Sequence, residues 1–315
     1  MQFPQFSPDA RAFPSRSQHE KARIDACGDV RNTAGHRIVL AFETGQFTVR
    51  IVSTDGAHDD AGSVIADPDI RAAQQLRYQV FAEEMGAHLE PASQGIDQDI
   101  YDAFCDHLIV RDKATRQVVG TYRILRPTAA KRLGYYADTE FFTTRLDRIK
   151  PTLVEFGRSC IHRDYRSGPV IMLLWTALAR YMIEGGYEHV IGCASVSMRD
   201  GGHQAASLFH RLKDRHIADA EYQVFPRHPL PLARLVSTLQ VEAPPLIKGY
   251  LRIGAKICGD PAWDSDFNTA DFFMLLSLSG MSPRYARHFG VDAASSDDQA
   301  HEALNAPYIE HRRVA

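Results

Sequence analysis

The sequence predicts one α/β domain built on a mixed sheet. Short alternating strands come first as a meander, beginning with "RIVLAFETGQFTVRIVST" (37–54). Later segments then alternate as strand, helix and strand, over 153–161, 170–186 and 189–196. The helix between those strands, "VIMLLWTALARYMIEGG", is apolar almost all round, as a helix buried against a sheet must be.

Taken in order, residues 1–36 are rich in Pro, Ser, Arg and Asp without periodicity and read as a flexible tail. The globular domain spans 37–290, and 291–315 form a polar C-terminal tail. A first helix is expected over 66–87, started by Asp67 and Pro68, striped by Ile70, Ala73, Leu76 and Val80, with Gly86 near its end. An acidic loop, "GIDQDIYDAFCDH" (95–107), leads into two strands around a charged turn (107–125). A further amphipathic helix with a basic outer face occupies 202–216, and 244–278 reads as two more strands and a connecting turn.

The 315 residues are 44% hydrophobic and 24% charged, ordinary for a soluble globular protein. A net charge of −3 does not point to a nucleic-acid binder. Five scattered cysteines without a C-x-x-C pair argue against a disulfide framework and against a zinc cluster, so no metal is expected. The N-terminal stretch lacks the apolar run of a signal peptide, which predicts a cytoplasmic protein.

The chemistry is densest in "EFGRSCIHRDYRSGPVIMLLW" (155–175), where a strand hands over to a helix. No P-loop G-x-x-x-x-G-K-[ST] is present, and "GRSCI" lacks the closing glycine of a nucleophile elbow. His162 and Asp164 make a poor metal pair. A cleft for an acyl-carrier thioester fits better. The loop "YRSG" (165–168) before a helix offers amides and a positive helix end to a phosphate, and the preceding strand can run beside an extended pantetheine arm.

The runs "LRYQVFAEEMG", "DQDIYDAFCDHLIV", "VVGTYRIL", "EFGRSCIHRDYRSGPVIMLLW", "VIGCASV" and "PPLIKGYLRIGAKICGDPAWDSDFNTADFFMLL" together resemble the ornithine-lipid-forming N-acyltransferases. These are bacterial, hemolysin-like members of the GNAT acyltransferase superfamily, and the resemblance covers roughly residues 46–290. It implies a GNAT-type, mostly antiparallel twisted sheet with flanking helices and an acyl-donor cleft between two central strands. It also implies transfer of a 3-hydroxyacyl chain from acyl carrier protein to the α-amine of L-ornithine, with phosphopantetheine brought by the co-substrate and no cofactor of the enzyme's own. The product, a lyso-ornithine lipid, is amphiphilic, so transient contact with the inner face of the cytoplasmic membrane is expected. The chain is also similar to acyl-homoserine-lactone synthases, through Arg77 and Phe81, Asp99 and Asp102, Arg123, and the Glu155-x-x-Arg158 pair. A signal synthase with a different amine acceptor is therefore the alternative. Pro169 and Ile171 depart from the glycines of the superfamily's Arg-x-x-Gly-x-Gly/Ala signature, which favours carrier-protein over coenzyme A donors.

Each site residue carries two readings. Glu155 is a general base for the amine or the partner of a structural ion pair with Arg158. Arg77, Arg123 and Arg158 bind the acceptor carboxylate or form scaffold bridges with Asp99, Asp102 or Asp106. Those acids in turn are candidates for ornithine's distal ammonium, and Phe81 belongs with Arg77 on the acceptor side. Ser159, Cys160, Arg166 and Gly168 line the pantetheine path or form an ordinary strand end and helix-start turn. Cys160, in an apolar run, is expected to pack rather than carry an acyl group. The basic residues His203, His210, Arg211, Lys213 and Arg215, or the segment 131–150, suit docking of an acidic carrier protein or are simply solvated. Trp175, Trp263 and "DFFMLL" line an acyl tunnel or pack the core.

Overall fold

The computed structural model describes residues 36–54, 67–88, 95–166 and 168–291. The two expected tails fall outside these residues, apart from positions 36 and 291. Strand β1 (Arg37–Glu43) turns into β2 (Phe47–Ser53) through Thr44, whose hydroxyl accepts from the Phe47 amide at 3.0 Å. Asp112 closes the next hairpin by accepting from the Ala114 and Thr115 amides, joining β3 (Asp106–Asp112) to β4 (Val118–Leu125). This is the meander that the alternation predicts.

Between β2 and β3 lies α1 (Pro68–Tyr78). The Asp67 carboxylate accepts from the Asp69 and Ile70 amides, and Ile70, Ala73, Leu76 and Val80 are buried as the stripe requires. The helix then widens into a π-turn over Gln79–Glu84, which puts Phe81 against Phe267 at 5.9 Å between ring centroids.

After β4 come α2 (Pro127–Leu133), the short β5 (Phe141–Phe142) and then β6 (Leu153–Ile161). Helix α3 (Val170–Glu184) crosses to β7 (His189–Ser197), followed by α4 (His203–His216) and β8 (Phe225–Pro226), which pairs with β5. The last third holds α5 (Pro245–Ile253), β9 (Lys256–Ile257), β10 (Ala262–Asp264), β11 (Thr269–Ser277) and α6 (Pro283–Phe289). The main sheet runs β1-β2-β3-β4-β6-β7-β11-β10, with β9 also on β11. Every pairing in it is antiparallel except β6–β7, the pair joined by the α3 crossover.

One expectation needs correction. Residues 245–253 form a helix, not part of a strand pair. Pro245 sits in the first turn, and Ile247 and Ile253 are buried in the core that the helix shares with β11 and α6. Gly249 permits the packing: a Cβ there would lie 2.4 Å from the Trp175 ring.

The sheet separates two layers. Val49, Ile51, Leu108, Val110, Tyr122, Ile124 and Val154 pack with α3, while Val52, Ile109, Val118 and Cys160 pack with α1. Because side chains alternate along a strand, neighbouring residues of β4 and β6 serve opposite faces. Tyr122 and Phe156 belong to the α3 side, and Arg123 and Glu155 to the side of α1 and the acidic loop.

Candidate active site

Strands β6 and β7 pair only from Leu153–His189 to Glu155–Ile191, and then part. Gly192 marks the divergence, since a Cβ at that position would come within 2.3 Å of the Phe156 carbonyl oxygen. On its other edge β6 stays paired with β4 as far as Gly120–Ile161, interrupted by a bulge that sets Arg158 and Ser159 opposite Tyr122. Arg158 takes a left-handed φ of 50°, a conformation that costs a non-glycine residue about 1 kcal/mol or more. The β7-facing edge of 156–161 is thus an open strand edge inside the sheet.

Glu155 sits where the strands part, 5% exposed. Its two carboxylate oxygens accept from the backbone amides of Tyr136 at 2.6 Å and Ala137 at 2.8 Å, at the start of a 3-10 turn (Tyr136–Thr139). Burial pushes its pKa up to about 7, against the opposing pull of those two amides. At neutral pH the group therefore stands ready to take a proton. It makes no ion pair with Arg158, so the structural-pair reading of Glu155 is not what the fold contains.

Arg158 instead reaches Asp97 at 3.3 Å and Asp99 at 3.1 Å, between the rings of Tyr136 and Phe267. Arg123 binds Asp99 at 2.6 Å and Asp102 at 3.0 Å. Arg77, 1% exposed, forks onto Asp97 and Asp102, both at 2.8 Å. Burial alone would raise the Asp102 pKa, but Arg77 and Arg123 outweigh it and hold the carboxyl well below its ordinary range. Three guanidinium groups and three carboxylates neutralise one another and tie the acidic loop to α1, β4 and β6. Asp106 is not among them; it accepts from the Tyr181 hydroxyl at 2.6 Å and meets Arg126 at 3.3 Å.

At the other end of β6, Arg166 donates to the Ile161 carbonyl at 3.0 Å and to Glu84 at 2.7 Å, so it braces the loop against the π-turn of α1. The Gly168 amide donates to the Tyr165 carbonyl at 3.3 Å, as in an ordinary turn before a helix. Cys160 is buried and its thiol is pushed up to about 12, which leaves almost no thiolate at neutral pH. The Ser159 hydroxyl lies within hydrogen-bonding reach of Tyr122.

On the α3 side the cleft opens into an apolar cavity of about 90 Å³ whose lining includes Phe156, Trp175, Gly192, Met274 and Leu276. Trp175 and part of "DFFMLL" thus face this space, whereas Trp263 is on the surface, 48% exposed.

Sequence reasoning did not single out Asp97, Tyr136, Phe267 or Glu140. Asp97 lay within the acidic loop and was visible as a charge. The others come from segments far from β6 and carry no local signal. Glu140, Cys193 and Asp271 bring ligand-type atoms within 4.8 Å of one another on the Glu155 side of the sheet. Both carboxyls of this group are raised, first by burial and then by neighbouring negative charge. Neither has a basic partner among the described residues.

Residues 76–176 match the acetyltransferase (GNAT) domain. The chain is 36% identical to the L-ornithine N(alpha)-acyltransferase of Brucella abortus over 71% of its own length and 86% of that protein. It is 35% identical to the enzyme of the same name from Rhizobium meliloti, over 71% of this chain and 82% of that one. Among solved structures, the acyl-homoserine-lactone synthase LasI superposes with a TM-score of 0.42 at 16% identity, covering 73% of this chain and 89% of that chain. With 35–36% identity over aligned stretches that cover most of each chain, and a GNAT domain spanning α1 to α3, the chain belongs to the L-ornithine N(alpha)-acyltransferase family.

Proposed function

We propose that the protein transfers an acyl group from a phosphopantetheine thioester on acyl carrier protein to the α-amine of L-ornithine, by direct attack. The observation that carries this reading is the position of Glu155, a buried carboxyl lifted to about 7 at the point where β6 and β7 part. An extended, amide-bearing pantetheine arm can add to the open edge of 156–161 as a strand would. Its carbonyl then lies between the strands, with the acyl chain on the α3 side and the amine on the acidic-loop side.

In the transfer, the amine nitrogen forms the C–N bond and gives a proton to Glu155, while the C–S bond breaks and the sulfur leaves as a thiol after taking a proton. A base with a pKa near the working pH suits this step. The raised thiol of Cys160 disfavours an acyl-enzyme. Arg158 is the most open of the three arginines and the best placed to share its guanidinium with the acceptor carboxylate. Asp97, Asp99 and Asp102 are already matched by arginines, so the negative charge left for ornithine's distal ammonium on this face is that of Asp271, beside a Glu140 that keeps its proton.

Pro169 at the start of α3 has no amide hydrogen to offer a phosphate, which supports a donor with one phosphate over coenzyme A. Exposed Arg211 and Arg215 on α4 offer a basic surface to an acidic carrier protein. No helix among the described residues is long and apolar enough to cross a membrane, and contact with its inner surface is the expectation for an enzyme releasing an amphiphile. The test is thiol release from matched acyl carrier protein and coenzyme A thioesters across a panel of amino acids. Release that needs carrier protein and ornithine supports the reading. Release from coenzyme A alone overturns its donor half, and preference for another amine overturns its acceptor half.

A further inference from the structure

The apolar cavity beside the cleft has a direction. Its floor starts at Phe156 on β6 and Gly192 on β7, just past the point where those strands part. It continues to Met274 and Leu276 on β11, which pair with Gly192 and Val190. Neighbouring strands lie about 4.8 Å apart, so the floor is roughly 10 Å wide from β6 to β11. Past β11 the cavity meets Ile253, Ala255 and Met281. Ala255 immediately precedes β9, which pairs with β11 on the edge away from β7. These three residues therefore stand at the end of the cavity opposite the cleft.

That end wall is held by main chain. Helix α5 stops at Gly254 with a φ of 114°, and a Cβ there would lie 2.6 Å from the Gly280 carbonyl oxygen. The Ser282 amide donates to the Ile253 carbonyl at 2.9 Å, and the Ala255 amide to the Tyr250 carbonyl at 3.0 Å. Segments 253–255 and 280–282 are thus in backbone contact, and the wall cannot retreat without breaking buried hydrogen bonds. Ile253, Ala255 and Met281 are all buried. The depth of the cavity is then fixed by side chains alone, chiefly the single methyl of Ala255 and the long, adaptable side chain of Met281.

We infer that Ala255 and Met281 set the length of the acyl chain that the enzyme transfers. The inference rests on the acyl-transfer reading of the cleft, with the tail on the α3 side, and adds where that tail stops. Each methylene taken into the cavity favours a longer donor by up to about fourfold, until the terminal methyl meets the wall. A further carbon has to displace packed side chains, which costs rather than contributes. Trimming Met281 should lengthen the preferred chain, and enlarging Ala255 should shorten it. A change that only loosened the fold would lower transfer from every donor alike.

The experiment measures kcat/KM for carrier-protein thioesters from 3-hydroxyoctanoyl to 3-hydroxyeicosanoyl, in steps of two carbons. Wild type, Met281→Ala, Ala255→Val and Ala255→Leu are compared. Wild type should show one optimum, with a fall of about tenfold or more for the longer donors beyond it. In Met281→Ala the optimum should move at least one step longer. In the Ala255 variants it should move at least one step shorter, and further for Leu than for Val. Tryptophan fluorescence on binding the free 3-hydroxy acids gives a second readout without turnover, because Trp175 lines the cavity while Trp263 lies at the surface. An optimum that stays in place in the variants, or moves in the same direction in both kinds, overturns the inference. If neither Ala255 variant folds, Met281→Ala decides alone. Absence of transfer from every donor by wild type would refute the acyl-transfer reading instead, and the length dependence of fatty-acid binding would still show where the tail stops.

Discussion

Glu155 on β6 faces Ile191 on β7 as the final rung of the one parallel pairing in the described sheet. One residue further, Gly192 has already given the Phe156 carbonyl room that no side chain could share. The Glu155 carboxylate and the opening between the strands are therefore set by the same two strands.

Replacing Glu155 by Gln should lower kcat/KM by about a hundredfold or more, in line with the usual contribution of a positioned base. Circular dichroism and melting temperature should stay close to wild type. In wild type, kcat/KM should climb with pH and level off above an apparent pKa of about 7, because the carboxyl acts only when ionised. The Gln variant should lose that inflection. A wild-type profile that is flat from pH 5 to 9 would remove Glu155 from the proton transfer.

Glu140 offers a stability test. Its folded pKa lies above the ordinary carboxyl value, so the folded chain holds a proton that the unfolded chain has released. Stability should fall as pH rises above the ordinary carboxyl range. Thermal melts between pH 4 and 9 should show this slope flattened in Glu140→Gln, with the variant melting higher at the alkaline end.

Acceptor choice tests the same pair differently. Asp271→Asn should weaken kcat/KM for ornithine about tenfold while changing that for 2-aminopentanoate, which lacks the distal ammonium, by much less. Equal losses with both amino acids would show that Asp271 supports the fold and does not select the substrate.

Arg77→Ala removes one of the two guanidinium partners of both Asp97 and Asp102, the one buried most deeply, which should cost about 3 kcal/mol in urea unfolding. Arg77→Lys should recover little, because an ammonium cannot bridge two carboxylates as a planar fork does.

Gly192→Ala pushes a methyl group against the Phe156 carbonyl and should destabilise by about 1–3 kcal/mol. Activity should fall further than stability alone explains if the strand divergence positions the thioester.

Much of this arrangement was legible in the sequence, for identifiable reasons. The Glu155-x-x-Arg158 spacing lies on a single strand, so its chemistry is local, and the apolar surface of 170–186 dictates a buried helix. The identity of each arginine's partner was not legible. Arg77 could equally have met a ligand, and only the return of the acidic loop over α1 and β4 gives its guanidinium to Asp97 and Asp102. Helix α5 differs from the strand expected there because isoleucine and leucine in a short run suit a strand as well as a helix, and the burial of Ile247 and Ile253 becomes visible only against β11 and α6. Tyr136 and Glu140 reach the site from a segment with no periodicity.

The clasp formed by Asp97, Asp99 and Asp102 has a consequence for assembly. Its three aspartates close on arginines from α1, β4 and β6, elements spread over some eighty positions of the chain (Arg77 to Arg158). No two of those arginines can share an aspartate until the strands carrying them already lie side by side. The ion pairs of the acidic segment are thus completed only in a chain whose central sheet is already assembled.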